Sequence, residues 1–170
     1  FKVVNDTLGH AIGDELLVKV ADRFQSCMRA SDTLARLGGD EFAVLLTDVG
    51  CSGEVMDVAH KLRKAVTEPV EVQGYGLHPS TSIGISLYPG DGKTADTILK
   101  NADAAMYRSK DNGRNQITFF SPEMNTYAGR RLVLENKLRQ ALREDKLQVY
   151  YQPRCDARTQ AIIGVEALVR

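Results

Sequence analysis

The chain has no tryptophan, no net charge and no long apolar run. Of its 170 residues, 22 are Lys or Arg and 22 are Asp or Glu. A balanced chain offers no clustered positive field for a nucleic-acid backbone or an anionic membrane. No run approaches the roughly 18 apolar residues of a membrane span. We therefore expect no nucleic-acid partner and no membrane segment within these residues.

Cysteine is also scarce. Cys27, Cys51 and Cys155 are odd in number, far apart and without the C-x-x-C or Cys/His spacing of a zinc site. Neither a disulfide framework nor a metal knuckle is expected, and a reducing, cytoplasmic setting is the simplest prediction. The first residue is Phe1 rather than Met, and residues 163–170 resemble a strand cut in mid-element. We expect a segment of a longer protein, whose unseen N-terminal part could anchor it to a membrane.

Apolar periodicity predicts an α/β (α+β) fold with a mainly antiparallel central sheet flanked by helices. A 3.6-residue spacing predicts helices over residues 9–30, 52–68 and 94–112, the second with Ser52 as its N-cap. Short apolar runs around turns predict two antiparallel pairs, 33–37 with 42–46 and 70–72 with 81–87, and then a strand at 117–120.

The organisation changes near residue 121. An amphipathic stripe predicts a connecting helix over residues 122–145, and two strands follow at 147–151 and 162–169 around the turn from Asp156 to Gln160. The predicted division is therefore a first domain over residues 1–121, a helix over 122–145, and the beginning of a second domain over 146–170.

The sharpest local signal is the turn Gly38-Gly39-Asp40-Glu41. Two glycines let a backbone approach a phosphate closely, and carboxylates are oxygen ligands that suit magnesium together with substrate phosphates. Asp40 and Glu41 are therefore candidate catalytic residues. An acidic hairpin turn without any chemistry has the same spacing, so this alternative stays open.

Asn5 and Asp14 are candidate ligands of a guanine edge. A carboxylate accepts hydrogen bonds from guanine N–H groups, and an amide both donates and accepts. The alternative is structural, because Asp14 near the start of a helix would cap it and interact favourably with the helix dipole.

Lys110 and Arg114 lie four residues apart around the end of the third predicted helix. Two cations in this place could hold a triphosphate through charge-assisted hydrogen bonds. Cations also complement a helix C-terminus, which is the structural alternative.

Taken together, these motifs resemble the GGDEF diguanylate cyclase family over residues 1 to about 120. The resemblance rests on the order and spacing of seven segments, which are Phe1-Lys-x-x-Asn5-Asp6, Gly9-His10, Gly13-Asp14-Glu15-x-Leu17, Arg36-x-Gly38-Gly39-Asp40-Glu41-Phe42, Ser82-Ile83-Gly84-Ile85, Ala102-Asp103-x-Ala105-Met106-Tyr107 and Lys110-x-x-Gly113-Arg114-Asn115. The fold implied resembles the nucleotide-cyclase palm.

The resemblance implies an enzyme of bacterial second-messenger signalling. Such an enzyme joins two GTP molecules into cyclic di-GMP across a homodimer interface, with magnesium or manganese as cofactor. Carried over by position, Asp40 would be a metal ligand and Glu41 a catalytic-loop carboxylate. The residues implied to bind substrate are Asn5, Asp14, Gly38, Gly39, Lys110 and Arg114.

Arg29-Ala30-Ser31-Asp32 matches the R-x-x-D inhibitory site of the same family. The resemblance implies that Arg29 and Asp32 bind the product, cyclic di-GMP, and limit its synthesis. Arg suits bidentate contact with phosphate or a guanine edge, and Asp suits guanine N–H groups. An ordinary solvated helix end is the structural alternative.

The tail resembles the opening of an EAL domain, the cyclic di-GMP phosphodiesterase family with a TIM-like barrel. The likeness rests on residues 147–153 and 164–170, which include Gln152, Glu166 and Arg170. Glu166 would be a metal ligand there, and Gln152 and Arg170 lie where that family contacts the dinucleotide. Only residues 146–170, the beginning of a much larger domain, are covered.

One departure from the family matters for activity. Its members carry a metal-binding Asp in a strand just upstream of the Phe-Lys pair, and this chain begins at Phe1. We expect the segment to lack that strand and to be inactive by itself, so the activity implied is that of the parent protein. The alternative is a catalytically silent GGDEF domain that binds GTP or cyclic di-GMP and regulates an attached EAL phosphodiesterase.

Overall fold

The computed structural model of the chain describes residues 1–169, with the side chains of all of them except 126–133 and 135. Phe1–Met124 form one compact unit, and the residues from Asn125 onward form a second. The elements in chain order are α1 (Lys2–Leu8), α2 (His10–Ser26), β1 (Thr33–Gly38), β2 (Glu41–Leu45), α3 (Ser52–Thr67), β3 (Val70–Val72), β4 (Tyr75–Leu77), β5 (Ile83–Ile85), α4 (Ala95–Asp111), β6 (Ile117–Phe119), α5 (Pro122–Arg143), β7 (Val149–Cys155) and β8 (Ile162–Val169).

The first predicted helix is present but shorter than predicted. Helix α2 ends at Ser26, because the N–H groups of Cys27 and Met28 bond the carbonyls of Phe24 and Gln25, which tightens the last turn. The short helix α1 before it was not predicted. It spans seven residues, which is too few for a periodic apolar stripe to register.

Helix α3 matches its prediction except at its start. Ser52 is the first helical residue, and Cys51 occupies the N-cap position without a side-chain hydrogen bond, so the predicted Ser52 cap is wrong. Glu54 Oε2 accepts from the Gly50 N–H at 3.2 Å, which ties the residue before the N-cap to the first helical turn. Helix α4 is confirmed, and the Thr94 side chain caps it by accepting from the Thr97 N–H at 3.2 Å.

The predicted mainly antiparallel central sheet is corrected by the pairing. In residues 1–169 the strands form four separate pairs, of which β1–β2, β3–β4 and β7–β8 are antiparallel and β5–β6 is parallel. The predicted pairing of residues 70–72 with 81–87 is wrong, because β3 pairs with β4 around a tight turn. Strand β5 instead pairs with β6 after a crossover through α4, as a parallel pair requires.

The core of the first unit lies between helix α2, helix α3 and strand β3. Its buried residues are Ile12, Leu16, Val20, Phe24, Leu62, Val66, Val70 and Val72. A smaller buried cluster of Val55, Ala59 and Ile85 joins the N-terminal half of α3 to β5. Apolar side chains at helical spacing thus face both clusters from α3, as the periodicity predicts.

Helix α5 and the hairpin β7–β8 agree with the predicted elements of the tail. The hairpin pairs Val149 with Val169 at one end and Cys155 with Ile162 at the other. None of the described side chains of the hairpin is buried, and Leu134, Leu138 and Leu142 of α5 are exposed as well. No described helix combines the length and apolar character needed to cross a membrane.

Candidate functional site

The tip of the β1–β2 hairpin is held by an arginine. Gly39 has φ +51°, a left-handed conformation that glycine adopts without steric cost. The Arg36 side chain donates to the Gly39 carbonyl from Nε at 3.0 Å and from Nη2 at 2.8 Å. Sequence reasoning assigned Arg36 to the motif but gave it no role. The structure shows that it fixes the backbone of the Gly-Gly turn.

Phe42 anchors the same hairpin to the core. Its ring meets the ring of Phe24 edge-on, with centroids 5.5 Å apart and planes 75° apart. Such aromatic pairs are favourable beyond the area that they bury. Because Phe24 is a core residue of α2, this contact fixes strand β2, which begins at Glu41 directly after Asp40.

The structure brings Glu41 and Lys110 together. Glu41 Oε1 lies 3.7 Å from Lys110 Nζ, and the two side chains are half-exposed. Water screens such a pair, so it contributes little to stability. Its importance is geometric, because it places the acidic turn beside the C-terminal end of α4. Asp40 lies at the same turn and is exposed.

Arg114 lies beyond the end of α4. The helix ends at Asp111 with Asn112 as its C-cap, so Lys110 belongs to the last helical turn and Arg114 does not. Interaction with the helix dipole is thus a structural role for Lys110 but falls off beyond the last turn. The backbone N–H of Arg114 donates to the Ser109 carbonyl at 3.2 Å, and Arg114 itself has φ +60°.

Asn5 and Asp14 lie on neighbouring helices. The Asn5 side chain packs on Gly13, where any Cβ would collide with Asn5 Oδ1. That oxygen is buried and accepts no hydrogen bond within the described part of the chain. Asp14 is exposed and follows Gly13 directly. The capping alternative for Asp14 is wrong, because Gly9 is the N-cap of α2 and the first turn has no acidic residue.

The Arg29–Asp32 turn is closed by its own carboxylate. Asp32 Oδ2 accepts from the Arg29 backbone N–H at 2.9 Å, and Oδ1 accepts from the Thr47 N–H at 3.4 Å. Thr47 Oγ1 also donates to the Ser31 carbonyl at 3.3 Å. The Arg29 side chain is exposed. Asp32 therefore shapes the turn that presents Arg29, a role that the R-x-x-D spacing did not indicate.

Two of the three candidates in the tail face each other. Gln152 on β7 is directly opposite Glu166 on β8, and both are exposed. Arg170 lies outside the described residues.

The carboxylates do not form a complete metal site by themselves. Among the described residues, no three His, Cys, Asp or Glu side chains lie close enough to hold a metal ion together. Magnesium usually takes one or two carboxylates and completes its shell with water and substrate phosphates. The exposed carboxylate of Asp40 beside a glycine turn fits that kind of shared site.

The sequence profile of the family described as "Diguanylate cyclase, GGDEF domain" matches residues 1–116. The chain belongs to the GGDEF diguanylate cyclase family. The GGDEF domain of YfiN from Pseudomonas aeruginosa has the same fold, with 38% identity and a TM-score of 0.68 over 71% of this chain and 75% of that one. The mixed α/β GGDEF fold is thereby confirmed.

Longer relatives align with the whole chain, including the residues after the GGDEF domain. The bifunctional diguanylate cyclase/cyclic di-GMP phosphodiesterase MucR of Pseudomonas aeruginosa is 48% identical over 100% of this chain. The cyclic di-GMP phosphodiesterase NbdA of the same organism is 42% identical over the same span. The chain covers 25% of MucR and 22% of NbdA, so it spans about a quarter of these relatives.

Proposed function

We propose that this GGDEF domain condenses two GTP molecules into cyclic di-GMP in the longer protein that carries it. The observation that supports this most is the approach of Glu41 to Lys110 at 3.7 Å. It joins a glycine-rich acidic turn to a cationic helix end, and phosphoryl transfer depends on positioning and on compensating charge of this kind.

Different residues of the described chain would bind different parts of the GTP molecule. The buried Asn5 oxygen, which has no partner in the described chain, suits a guanine N–H donor, and the neighbouring Asp14 carboxylate suits a second one. Lys110 and Arg114 would hold the phosphates through charge-assisted hydrogen bonds. Gly38 and Gly39 leave room at the turn for phosphate oxygens to approach the backbone.

The reaction needs two copies of the domain. Each copy binds one GTP, and the 3′ hydroxyl oxygen of one nucleotide attacks the α-phosphorus of the other, from which pyrophosphate leaves. The second attack closes the ring and releases a second pyrophosphate. A homodimer is therefore part of the proposal.

Asp40 is the residue proposed to hold magnesium or manganese together with the substrate phosphates. The bound metal would neutralise charge on the transferring phosphate and help align the nucleophile. Glu41, whose Oε1 lies 3.7 Å from Lys110 Nζ, is proposed as a catalytic-loop carboxylate at the same turn.

Product inhibition is proposed at the Arg29–Asp32 turn. The exposed Arg29 side chain would contact a phosphate or guanine edge of cyclic di-GMP, while Asp32 keeps the turn closed. We further propose that β7 and β8 open an EAL domain in the whole protein, with Gln152 and Glu166 on its first hairpin.

A second function is favoured by one comparison. NbdA is 42% identical over this whole chain and is named a phosphodiesterase. In the alternative, the GGDEF domain binds GTP or cyclic di-GMP without turning it over and regulates an attached phosphodiesterase.

The test incubates the purified full-length protein with GTP and magnesium and follows nucleotides by mass spectrometry. Asp40→Asn is compared with Asp57→Asn, which alters an exposed carboxylate on α3. We expect cyclic di-GMP from the wild type and from Asp57→Asn. Asp40→Asn should lose more than about a hundredfold in rate, because stabilising the transition-state charge is usually the largest catalytic effect.

The other outcomes separate the two functions. GTP binding without any product in the wild type would contradict the cyclase and support the regulator. Unchanged turnover in Asp40→Asn would remove Asp40 from the metal site. Later conversion of cyclic di-GMP to the linear dinucleotide would add the phosphodiesterase.

A further inference from the structure

The turn after α4 has an unusual backbone. Gly113, Arg114 and Asn115 follow one another with φ values of +107°, +60° and +50°. Glycine adopts such values freely and Asn tolerates them, but Arg rarely does. Residues held in sparsely populated backbone regions persist where their surroundings determine the conformation, and they cluster at functional sites.

Part of what holds this turn comes from the segment itself. The N–H of Arg114 donates to the Ser109 carbonyl at 3.2 Å. Ser109 is fully buried, and its Oγ donates to the Gln116 carbonyl at 2.7 Å. These bonds tie the two ends of the turn to the last helical turn of α4. They do not bond the carbonyl of Asn115, which lies between them.

A contact from another helix reaches that carbonyl. Arg63 on α3 donates from Nη1 to the Asn115 oxygen at 3.1 Å, across 52 residues of sequence. Hydrogen bonds from charged donors are stronger than neutral ones. Arg63 therefore bonds the residue that immediately follows Arg114 and joins the turn to a helix of the core.

The surroundings of Arg63 supply a matched control. An open groove of about 380 Å³ is lined by His60, Arg63, Lys64, Thr67 and Asn115. Lys64 is adjacent to Arg63, carries the same charge and lines the same groove, but its ammonium group makes no described hydrogen bond. Replacing either side chain removes one positive charge from the groove, whereas only the Arg63 change removes a described bond to the turn.

We propose that Arg63 is a positioning residue for nucleotide binding, because it fixes the Gly113–Asn115 turn and thereby directs Arg114 toward the phosphates. The inference rests on the proposed function, in which Arg114 binds GTP. It adds a residue outside the family motifs, since Arg63 acts through the backbone of Asn115 and does not touch the nucleotide.

The test compares Arg63→Met, Arg63→Lys and Lys64→Met in the full-length protein. Binding of a non-hydrolysable GTP analogue is measured by calorimetry, and hydrogen exchange of the amides at residues 113–116 is measured by mass spectrometry. Steady-state kinetics with GTP give KM and kcat separately, and thermal melting checks that each variant is folded.

We expect Arg63→Met to speed exchange in the turn and to weaken analogue binding about five- to tenfold, as the loss of one charged hydrogen bond allows. KM should rise by a similar factor while kcat changes less than about threefold. Arg63→Lys should restore part of both effects, because Lys keeps a donor. Lys64→Met should stay within about twofold of the wild type in binding, since it makes no bond to the turn.

Three results would overturn the inference. Unchanged exchange in Arg63→Met would show that Arg63 does not hold the turn. Faster exchange with unchanged binding would show that the turn does not direct Arg114. Equal weakening in Lys64→Met would reduce the effect to charge alone. A wild type that binds no GTP analogue would contradict the proposed function, and the exchange data would then still decide whether Arg63 holds the turn.

Discussion

The two units of the chain differ in how much of their apolar side-chain surface is buried. Residues 1–124 bury a core between α2, α3 and β3, and their strands are short. The hairpin of the second unit has seven- and eight-residue strands with one register shift between Arg154 and Cys155, yet its apolar side chains remain exposed, with Tyr151 at 68% and Ile162 at 68%.

This difference shows that two strands can pair through their backbones without burying their side chains. Backbone pairing and a turn are enough to define β7–β8, whereas the first unit depends on side chains brought together from distant parts of the sequence. Strands with apolar residues on both faces are typical of sheets covered on both sides. The hairpin therefore has the composition of a covered strand pair, in line with the proposed EAL opening.

The largest expected effect comes from shortening one leucine in each unit. Leu62 on α3 is 5% exposed and Leu142 on α5 is 70% exposed. In the 170-residue chain, Leu62→Ala should lower the free energy of unfolding by about 2–5 kcal/mol, because it removes buried area and leaves a cavity. Leu142→Ala should change it by less than about 0.5 kcal/mol. Urea titration followed by circular dichroism measures both.

A similar loss at Leu142 would break the comparison between the units. It would mean that the leucine stripe of α5 is packed in solution, against a second copy or against the hairpin. Measuring Leu142→Ala at two protein concentrations distinguishes these cases, because only self-association depends on concentration.

A glycine pair gives the next largest effect. A Cβ on Gly84 of β5 would collide with the Ala102 carbonyl and the Met106 nitrogen of α4, which are backbone atoms. A Cβ on Gly164 of β8 would meet nothing within 4 Å. Gly84→Ala should therefore cost about 1–3 kcal/mol of stability, as overpacking does, and Gly164→Ala less than about 0.5 kcal/mol.

Thermal melting of the two alanine variants is the measurement for this pair. Equal melting temperatures for Gly84→Ala and the wild type would show that β5 and α4 can separate without loss. That result would remove the distinction between a closely packed first unit and an open second one.

The smallest effect is a pH dependence in the hairpin turn. The Thr159 N–H at 2.7 Å, its hydroxyl at 2.9 Å and the Arg158 N–H at 3.0 Å all donate to Asp156 Oδ1. These bonds favour the ionised carboxylate and lower the pKa of Asp156 below its ordinary value. The stabilisation of the turn is therefore complete above the ordinary aspartate pKa and is lost as the pH falls through the lowered value.

Amide chemical shifts of Thr159 measured by NMR should follow this titration, and Asp156→Asn should abolish it. A midpoint at or above the ordinary aspartate pKa would contradict the hydrogen-bonded turn. Since the first unit does not contain this turn, its amides serve as the internal reference.

Local patterns predicted a large part of the fold. Apolar residues at helical spacing predicted α3 and α4 because each buries one face, and the glycine turn predicted β1–β2 because its partners are close in sequence. Helix α5 and the strands of the second unit follow from the same two patterns. The predicted Ser52 cap was wrong because Ser52 is itself the first helical residue and the N-cap position falls on Cys51, which makes no side-chain cap hydrogen bond.

Local sequence patterns did not predict which strands pair, or which side chains make contacts between residues far apart in the sequence. Strand β5 pairs with β6 across the whole of α4, and no local signal distinguishes this partner from the nearer β3. The site residues were chosen by motif. The bonds from Arg36 to Gly39 and from Arg63 to Asn115 depend on where the guanidinium group of a long side chain lies. The spacing of residues in the sequence does not determine that position.

The irregularity in the β1–β2 hairpin has an evolutionary consequence. Its register shifts between Arg36 and Gly38, which leaves Leu37 as an extra residue on one strand. Such a bulge bends and twists a strand, and here it sets the direction of the turn that carries Asp40 and Glu41. Surface turns usually accept insertions and deletions during divergence. In this hairpin, losing one residue would leave the strands paired but change the direction of the acidic turn. Selection should therefore conserve the number of residues in the hairpin as strictly as the identity of those residues.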